Sequence, residues 1–233
     1  MTSILKGPVG LIGLSLLLFF VGADAFAHGV DKNTEQFLLS NQGVAIPAFL
    51  YIGAKHMVTG YDHLLFLIGV IFFLFRTKDV LIYVSLFTLG HSLTLFFGVL
   101  EHITVNPFVI DAIIGLSIVY KGFDNLGGFH RLLGFQPNTK TAVMIFGLFH
   151  GFGLATKLQK FNLPQLDLWK NLLAFNVGVE LGQFIALLFI LIALNFWRRN
   201  KSFYSFSTIT NTLLMTGGLI LFGYQMTGYL TNG

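Results

Sequence analysis

Apolar residues run along this chain in long stretches separated by short polar groups, a pattern that predicts helices and not alternating strands. Six segments stand out, at 61–75, 80–100, 108–120, 141–155, 171–197 and 208–229. Several approach or exceed the roughly 18–20 residues that span a bilayer. Ahead of them, residues 1–27 carry Lys6, an apolar run over 9–22 and the triplet Ala25-Phe26-Ala27. A thin basic start, an apolar middle and a small-x-small end predict a signal peptide; the same run, if retained, is a further membrane helix. Residues 28–43 are polar and read as a short extracytoplasmic segment. The apolar stretch 44–57 holds Pro47 near its start, which suits a first helical turn. It is expected to be a short helix dipping into the membrane before a break at Gly60. Residues 44–233 then form a single membrane domain. The expected fold is an all-α polytopic bundle of about six transmembrane helices after the signal peptide, or seven if it is retained.

Composition agrees and narrows the function classes. The chain is 55% apolar and 10% charged, with a mean hydropathy of +0.76. A soluble domain carries about a quarter charged residues. The net charge of +4 is small. The basic residues flank apolar segments, so they read as orientation signals and not as a nucleic-acid surface. With an exported N-terminus, Arg76, Lys78, Lys121, Arg131, Lys140, Arg198, Arg199 and Lys201 fall inside, and Lys32, Lys55, Lys157, Lys160 and Lys170 outside. That bias predicts an inner-membrane protein with its mature N- and C-termini extracytoplasmic. There is no cysteine. Disulfide frameworks and thiolate metal sites are excluded, which disfavours copper(I) and zinc-thiolate chemistry.

Few polar residues interrupt the apolar segments, and they share one chemistry. His56, Asp62 and His63 sit at the mouth of the first segment, with Gly60 between them. His91 lies in the second segment, Asp111 in the third, His150 in the fourth and Glu180 in the fifth. The predicted topology brings all of them to the outer half of the membrane. A charge near the centre of a membrane helix costs roughly 2.5–3.5 kcal/mol on insertion scales, so such residues read as a functional site. Imidazole and carboxylate are the donors that nickel, cobalt, zinc and iron accept. Neutral imidazole is required, so binding is expected to weaken below about pH 6.5. Thr88, Ser92, Asn176 and Gln183 are candidates to orient the ligands, whereas Thr94 is expected to bond back to its own helix. His102 and His130 lie in loops and read as solvated.

Asn176, Glu180 and Gln183 recur at i, i+4 and i+7, one helix face. Gly178 and Gly182 form a small-xxx-small pair that suits close helix packing. A weak internal repeat relates Phe87-Thr-Leu-Gly-His91-Ser-Leu-Thr-Leu95 to Phe146-Gly-Leu-Phe-His150-Gly-Phe-Gly-Leu154. Cleavage after Ala27 would make His28 the mature N-terminus, where its amine and imidazole form a chelating pair for a metal on its way to His56 and His63.

The residues with this chemistry also carry a resemblance. His56-Met57-Val58-Thr59-Gly60-Tyr61-Asp62-His63, running into Leu64-Leu65-Phe66-Leu67, resembles the His-Pro-x-x-Gly-x-Asp-His-x-x-x-Met motif of the HupE/UreJ family. Met57 stands for the proline and Leu67 for the methionine, as in the urease-associated branch. Phe87–Leu95, Phe146–Gly153 and Phe175-Asn176-Val-Gly178-Val-Glu180-Leu-Gly182-Gln183 extend the resemblance over about residues 45–197. It implies a nickel or cobalt permease. Two rival readings are an intramembrane metal-dependent hydrolase of zinc type, in which a His-bound metal activates water, and a non-transporting accessory that hands metal to a metalloenzyme maturation partner. The expected partners are the metal ion, the lipid bilayer and other copies of the chain; nucleic acid is not among them.

Overall fold

The computed structural model describes residues 44–159 and 168–232, and every element within them is a helix. We number them α1 (Ile46–Thr59), α2 (Tyr61–Ile71), α3 (Thr77–Leu100), α4 (Pro107–Asn125), α5 (Gly128–Leu133), α6 (Thr139–Gln159), α7 (Leu168–Arg198) and α8 (Ser202–Asn232). Residues 1–27 and His28 lie outside the described residues.

Local chemistry fixes where helices begin. Asn106 precedes Pro107, and its side-chain oxygen accepts from the amides of Phe108 and Val109 at 3.0 and 3.4 Å. Asn138 does the same ahead of α6 for Lys140 and Thr141, at 3.0 and 3.2 Å. Both satisfy amides that a helix start leaves unpaired. At the other end of the bundle the Arg198 guanidinium donates to the carbonyls of Ile71 and Phe72 and so closes the C-terminus of α2.

Cross-helix pairs give the direction of each helix. Ala45 N–H meets Asn171 Oδ1 at 2.9 Å, and Gly182 lies against Ala54 further along. Arg198 then meets Ile71. Thus α1 and α2 follow one another along α7 and run parallel to it. They make one broken crossing, interrupted at Gly60, whose extended backbone has φ −73° and ψ 95°. Thr88 pairs with Gln183 and Ser92 with Asn176, so α3 runs opposite to α7. Phe87 lies against Gly147 and Gly98 against Ala155, so α3 and α6 run parallel. Asp111 pairs with Lys157 and Tyr120 packs on Phe146, which sets α4 antiparallel to α6. Gly122 and Asn211, and Gly115 and Gly218, set α8 antiparallel to α4.

The bundle is built from three close helix pairs: α1 with α7, α3 with α6, and α4 with α8. All three depend on glycine for their approach. A methyl group at Gly178 would run into the carbonyl of Leu50, and one at Gly147 into that of Phe87. Such small-residue seams let membrane helices pack through dispersion and close backbone approach where lipid offers no hydrophobic drive. The short α2 sits among the pairs, burying Asp62, His63, Leu65, Phe66, Leu67, Gly69, Val70 and Ile71. The outer faces are apolar: Phe184, Phe189 and Phe196 of α7 and Ile220 of α8 are all more than 60% exposed.

The all-α membrane bundle is as expected. Four helices, α3, α6, α7 and α8, are long and apolar enough to cross a membrane. The stretch 44–57 forms the short helix α1 and breaks at Gly60 as expected, and α1 and α2 lie end to end along α7. The departures are local. The loop 121–140 contains the short α5. The remaining helices extend beyond the predicted ends, because an apolar run marks the helix core and leaves out polar terminal turns such as residues 77–79 of α3.

Candidate metal centre

The break at Gly60 gathers the site. His56 ends the last turn of α1, and Asp62 and His63 open the first turn of α2. Asp62 stands where the positive end of the α2 dipole favours an anion. The His63 ring is the hub. Its centroid lies 5.1 Å from that of His56, 5.0 Å from that of His150 and 6.2 Å from that of His91. Asp62 Oδ1 is 3.2 Å from His63 Nδ1. Asp62, His63, His91 and His150 are each no more than 2% exposed, so all four have left solvent. Phe66 and Phe87 wall the cluster on one side and Phe175 on the other.

Hydrogen bonds set the direction of these rings. His150 Nδ1 meets the Phe146 carbonyl at 2.7 Å. An Nδ1–H donated there leaves Nε2 as the basic nitrogen, the arrangement that metal-binding imidazoles use. That Nε2 is buried without a hydrogen-bond partner, and so are both ring nitrogens of His91. Leaving a buried polar atom unpaired costs about 1–3 kcal/mol. A ligand that accepts lone pairs repays that cost, and a cation is such a ligand.

Spacing is compatible with a shared ion. With metal–nitrogen bonds of about 2.1 Å, two imidazoles on one ion have ring centroids roughly 4.5–6.4 Å apart, from right-angled to linear. All three distances from His63 fall in that interval. Among the described residues, no three His, Asp or Glu side chains already converge on one ion position. Sharing an ion therefore requires ring rotation within the present helix spacing.

The other sequence candidates are placed differently. Asp111 is buried near Asp62 and His63, but its carboxylate is held by Lys157 at 2.9 and 3.1 Å. Glu180 is exposed on the outward face of α7 and does not join the cluster. Thr88 donates to Val84 O and Gln183 Oε1, and Ser92 to Asn176 Oδ1, so these four residues tie α3 to α7 beside the cluster. Gln183 also lines, with His63, Leu67, Val70 and Tyr83, a small cavity beside the cluster. Thr94 bonds back to Gly90 O at 3.1 Å, as expected, and also reaches Leu148 O on α6 at 2.7 Å. His102 and His130 are exposed. Along the helices, His63 lies where α1 gives way to α2, and its ring packs on His150 in the middle of α6. Sequence reasoning missed Lys157 as a site neighbour. Its position seven residues after His150, on the same face of α6, was the available signal.

No curated protein and no solved structure matches this chain. Residues 32–233 match the family described as HupE / UreJ protein. That span covers most of the chain and contains the whole histidine cluster. A multi-pass helical membrane protein with this signature across its length belongs to the HupE/UreJ family.

Proposed function

We propose that this protein carries a divalent transition metal, nickel or cobalt, across the inner membrane. His56, Asp62, His63, His91 and His150 are its transit site. The observation that supports this most is the set of buried, unpartnered nitrogens on His91 and His150, beside His63 and Asp62 at a helix break. Broken crossings with ion sites at the interruption are a recurrent plan in secondary transporters. Imidazole with carboxylate suits nickel, cobalt and zinc by donor type; the family association with nickel and cobalt selects the first two.

A permease needs a way past the site, and beside the cluster His63, Leu67, Val70 and Tyr83 line a cavity of about 10 Å³, while Tyr83 is also within electrostatic reach of Asp124. In this reading Glu180 is not a ligand, and Asp111 contributes only after leaving Lys157. Positive-inside bias favours both mature termini outside, with His28, when freed by cleavage, as a capture point. The test is nickel uptake by proteoliposomes containing the purified protein. Uptake that saturates with nickel and disappears in His63→Ala supports the reading. Retention of bound metal with no uptake by the wild type moves the assignment to an accessory or enzymatic role.

A further inference from the structure

Two buried ion pairs stand toward the two ends of α4, and the histidine cluster lies between them. Toward one end, the Asp111 carboxylate accepts from Lys157 Nζ of α6. Toward the other, Asp124 accepts from Lys121 Nζ one turn earlier, from Gln136 Nε2 and from the Thr139 hydroxyl. Side-chain exposure is 13% and 7% in the first pair and 8% and 7% in the second, so both are shielded from solvent. Thirteen positions of helix separate the two aspartates, about 20 Å of rise.

The register between α4 and α6 places the cluster between them. Asp111 is opposite Lys157, Tyr120 packs on Phe146 with centroids 5.2 Å apart, and Asp124 lies by Thr139. His150 falls between Phe146 and Lys157, hence between the two pairs. Each pair also communicates with the cluster. Asp111 lies within electrostatic reach of Asp62 and His63. In the other direction, Tyr83, which lines the small cavity beside His63, lies within electrostatic reach of Asp124.

Fold stability alone is a poor reason for such pairs. A buried ion pair is often no more stabilising than apolar residues of the same shape. Lysine differs from arginine in that its ammonium is a compact point charge on a flexible stem, which releases a carboxylate more readily than a bidentate fork does.

We propose that Asp111 and Asp124 are flanking stations for the metal on either side of the histidine cluster, and that Lys157 and Lys121 are tethered cations that occupy them between transits. This rests on the transport reading given above. A divalent ion arriving at either carboxylate displaces the ammonium, which swings aside on its stem. When the ion moves on, the lysine returns and the carboxylate is never left as an isolated buried charge. The two lysines thereby keep the path neutralised without a metal in it.

The test compares nickel uptake by proteoliposomes of the wild type with two neutralised pairs, Asp111→Asn with Lys157→Met and Asp124→Asn with Lys121→Met. Nickel affinity of the same purified proteins is measured by equilibrium dialysis. Neutral replacements of similar shape preserve the fold and leave the four histidines in place, so nickel is still bound while uptake falls at least about tenfold in both. Uptake within about twofold of wild type in either double variant overturns the proposal. If a double variant does not fold, Lys157→Arg carries the test: the fork holds Asp111 more tightly, and uptake falls at least about fivefold. Unchanged uptake in that variant overturns the proposal as well. No uptake by the wild type overturns the transport reading and this inference together. An active wild type beside active double variants overturns the inference alone.

Discussion

Gly60→Ala separates the metal site from the fold. The backbone at Gly60 has φ −73°, which any residue adopts, so an alanine there meets no backbone strain. Space is the issue. The added Cβ would lie 3.0 Å from the His56 carbonyl, 3.0 Å from His63 Nδ1 and 3.3 Å from Asp62 Oδ1. Ordinary contact begins near 3.4 Å, so the imidazole and the carboxylate must each yield by a few tenths of an ångström. Because Gly60 is the residue ahead of α2, replacing it with alanine costs about 1 kcal/mol or less of helix stability. Metal sites are less tolerant, since ligand distances hold to about 0.2 Å. Disturbing groups that orient a ligand costs typically 10–100-fold in affinity, and the lower end, about tenfold or 1.4 kcal/mol, fits a shift of this size. The assay is nickel binding by isothermal titration in detergent, paired with a thermal unfolding scan. A variant with near wild-type unfolding and about tenfold weaker nickel binding is expected. Unchanged affinity would refute the argument that His63 and Asp62 hold the ion.

Gly178→Leu forces a side chain into the Leu50 carbonyl and parts α1 from α7; overpacking costs typically 1–3 kcal/mol, more where backbone blocks relief, and a thermal scan in detergent should show a clear loss. Glu180→Gln should leave nickel affinity within about twofold, because that side chain faces outward; a drop of about tenfold would restore Glu180 to the site. Nickel binding should be lost as pH falls, since protons compete with the metal for imidazole lone pairs, and equilibrium dialysis across pH 5–8 reads the slope; binding that strengthens on acidification contradicts imidazole ligation. Asn176→Leu removes the acceptor of Ser92 and loosens α3 from α7 by about 1 kcal/mol, again read by thermal unfolding.

The histidine cluster was legible in the sequence, because charge and imidazole stand out against an apolar background. His63, His91 and His150 converge as their depths suggested, and the repeat around His91 and His150 matches two parallel helices, α3 and α6, in contact at those residues. Three features were hidden for physical reasons. That 44–57 and the first apolar segment lie end to end was hidden because each is too brief to span a bilayer and Lys55 and His56 fall between them; only their alignment along α7 shows it. Glu180 was read as a ligand because Asn176, Glu180 and Gln183 share a face. At about 100° per residue, Glu180 lies some 40–60° from the other two. The buried arc of α7 ends at Asn176 and Gln183, so that rotation carries Glu180 out of it. Periodicity gives the face but not its edge. Asp111 was expected free to bind metal, and pairing between residues 46 apart in sequence, here with Lys157, has no local signature.

The most direct measurement is nickel K-edge X-ray absorption on the purified protein loaded with one equivalent of nickel. Imidazole rings bound to a metal give a characteristic outer-shell scattering pattern that counts them. If the ion sits among His56, His63, His91 and His150, the spectrum shows at least two histidines with oxygen completing the coordination, and both His63→Ala and His150→Ala lower the histidine count. A spectrum of oxygen and water ligands alone, unchanged by both substitutions, would place the metal elsewhere and contradict the account.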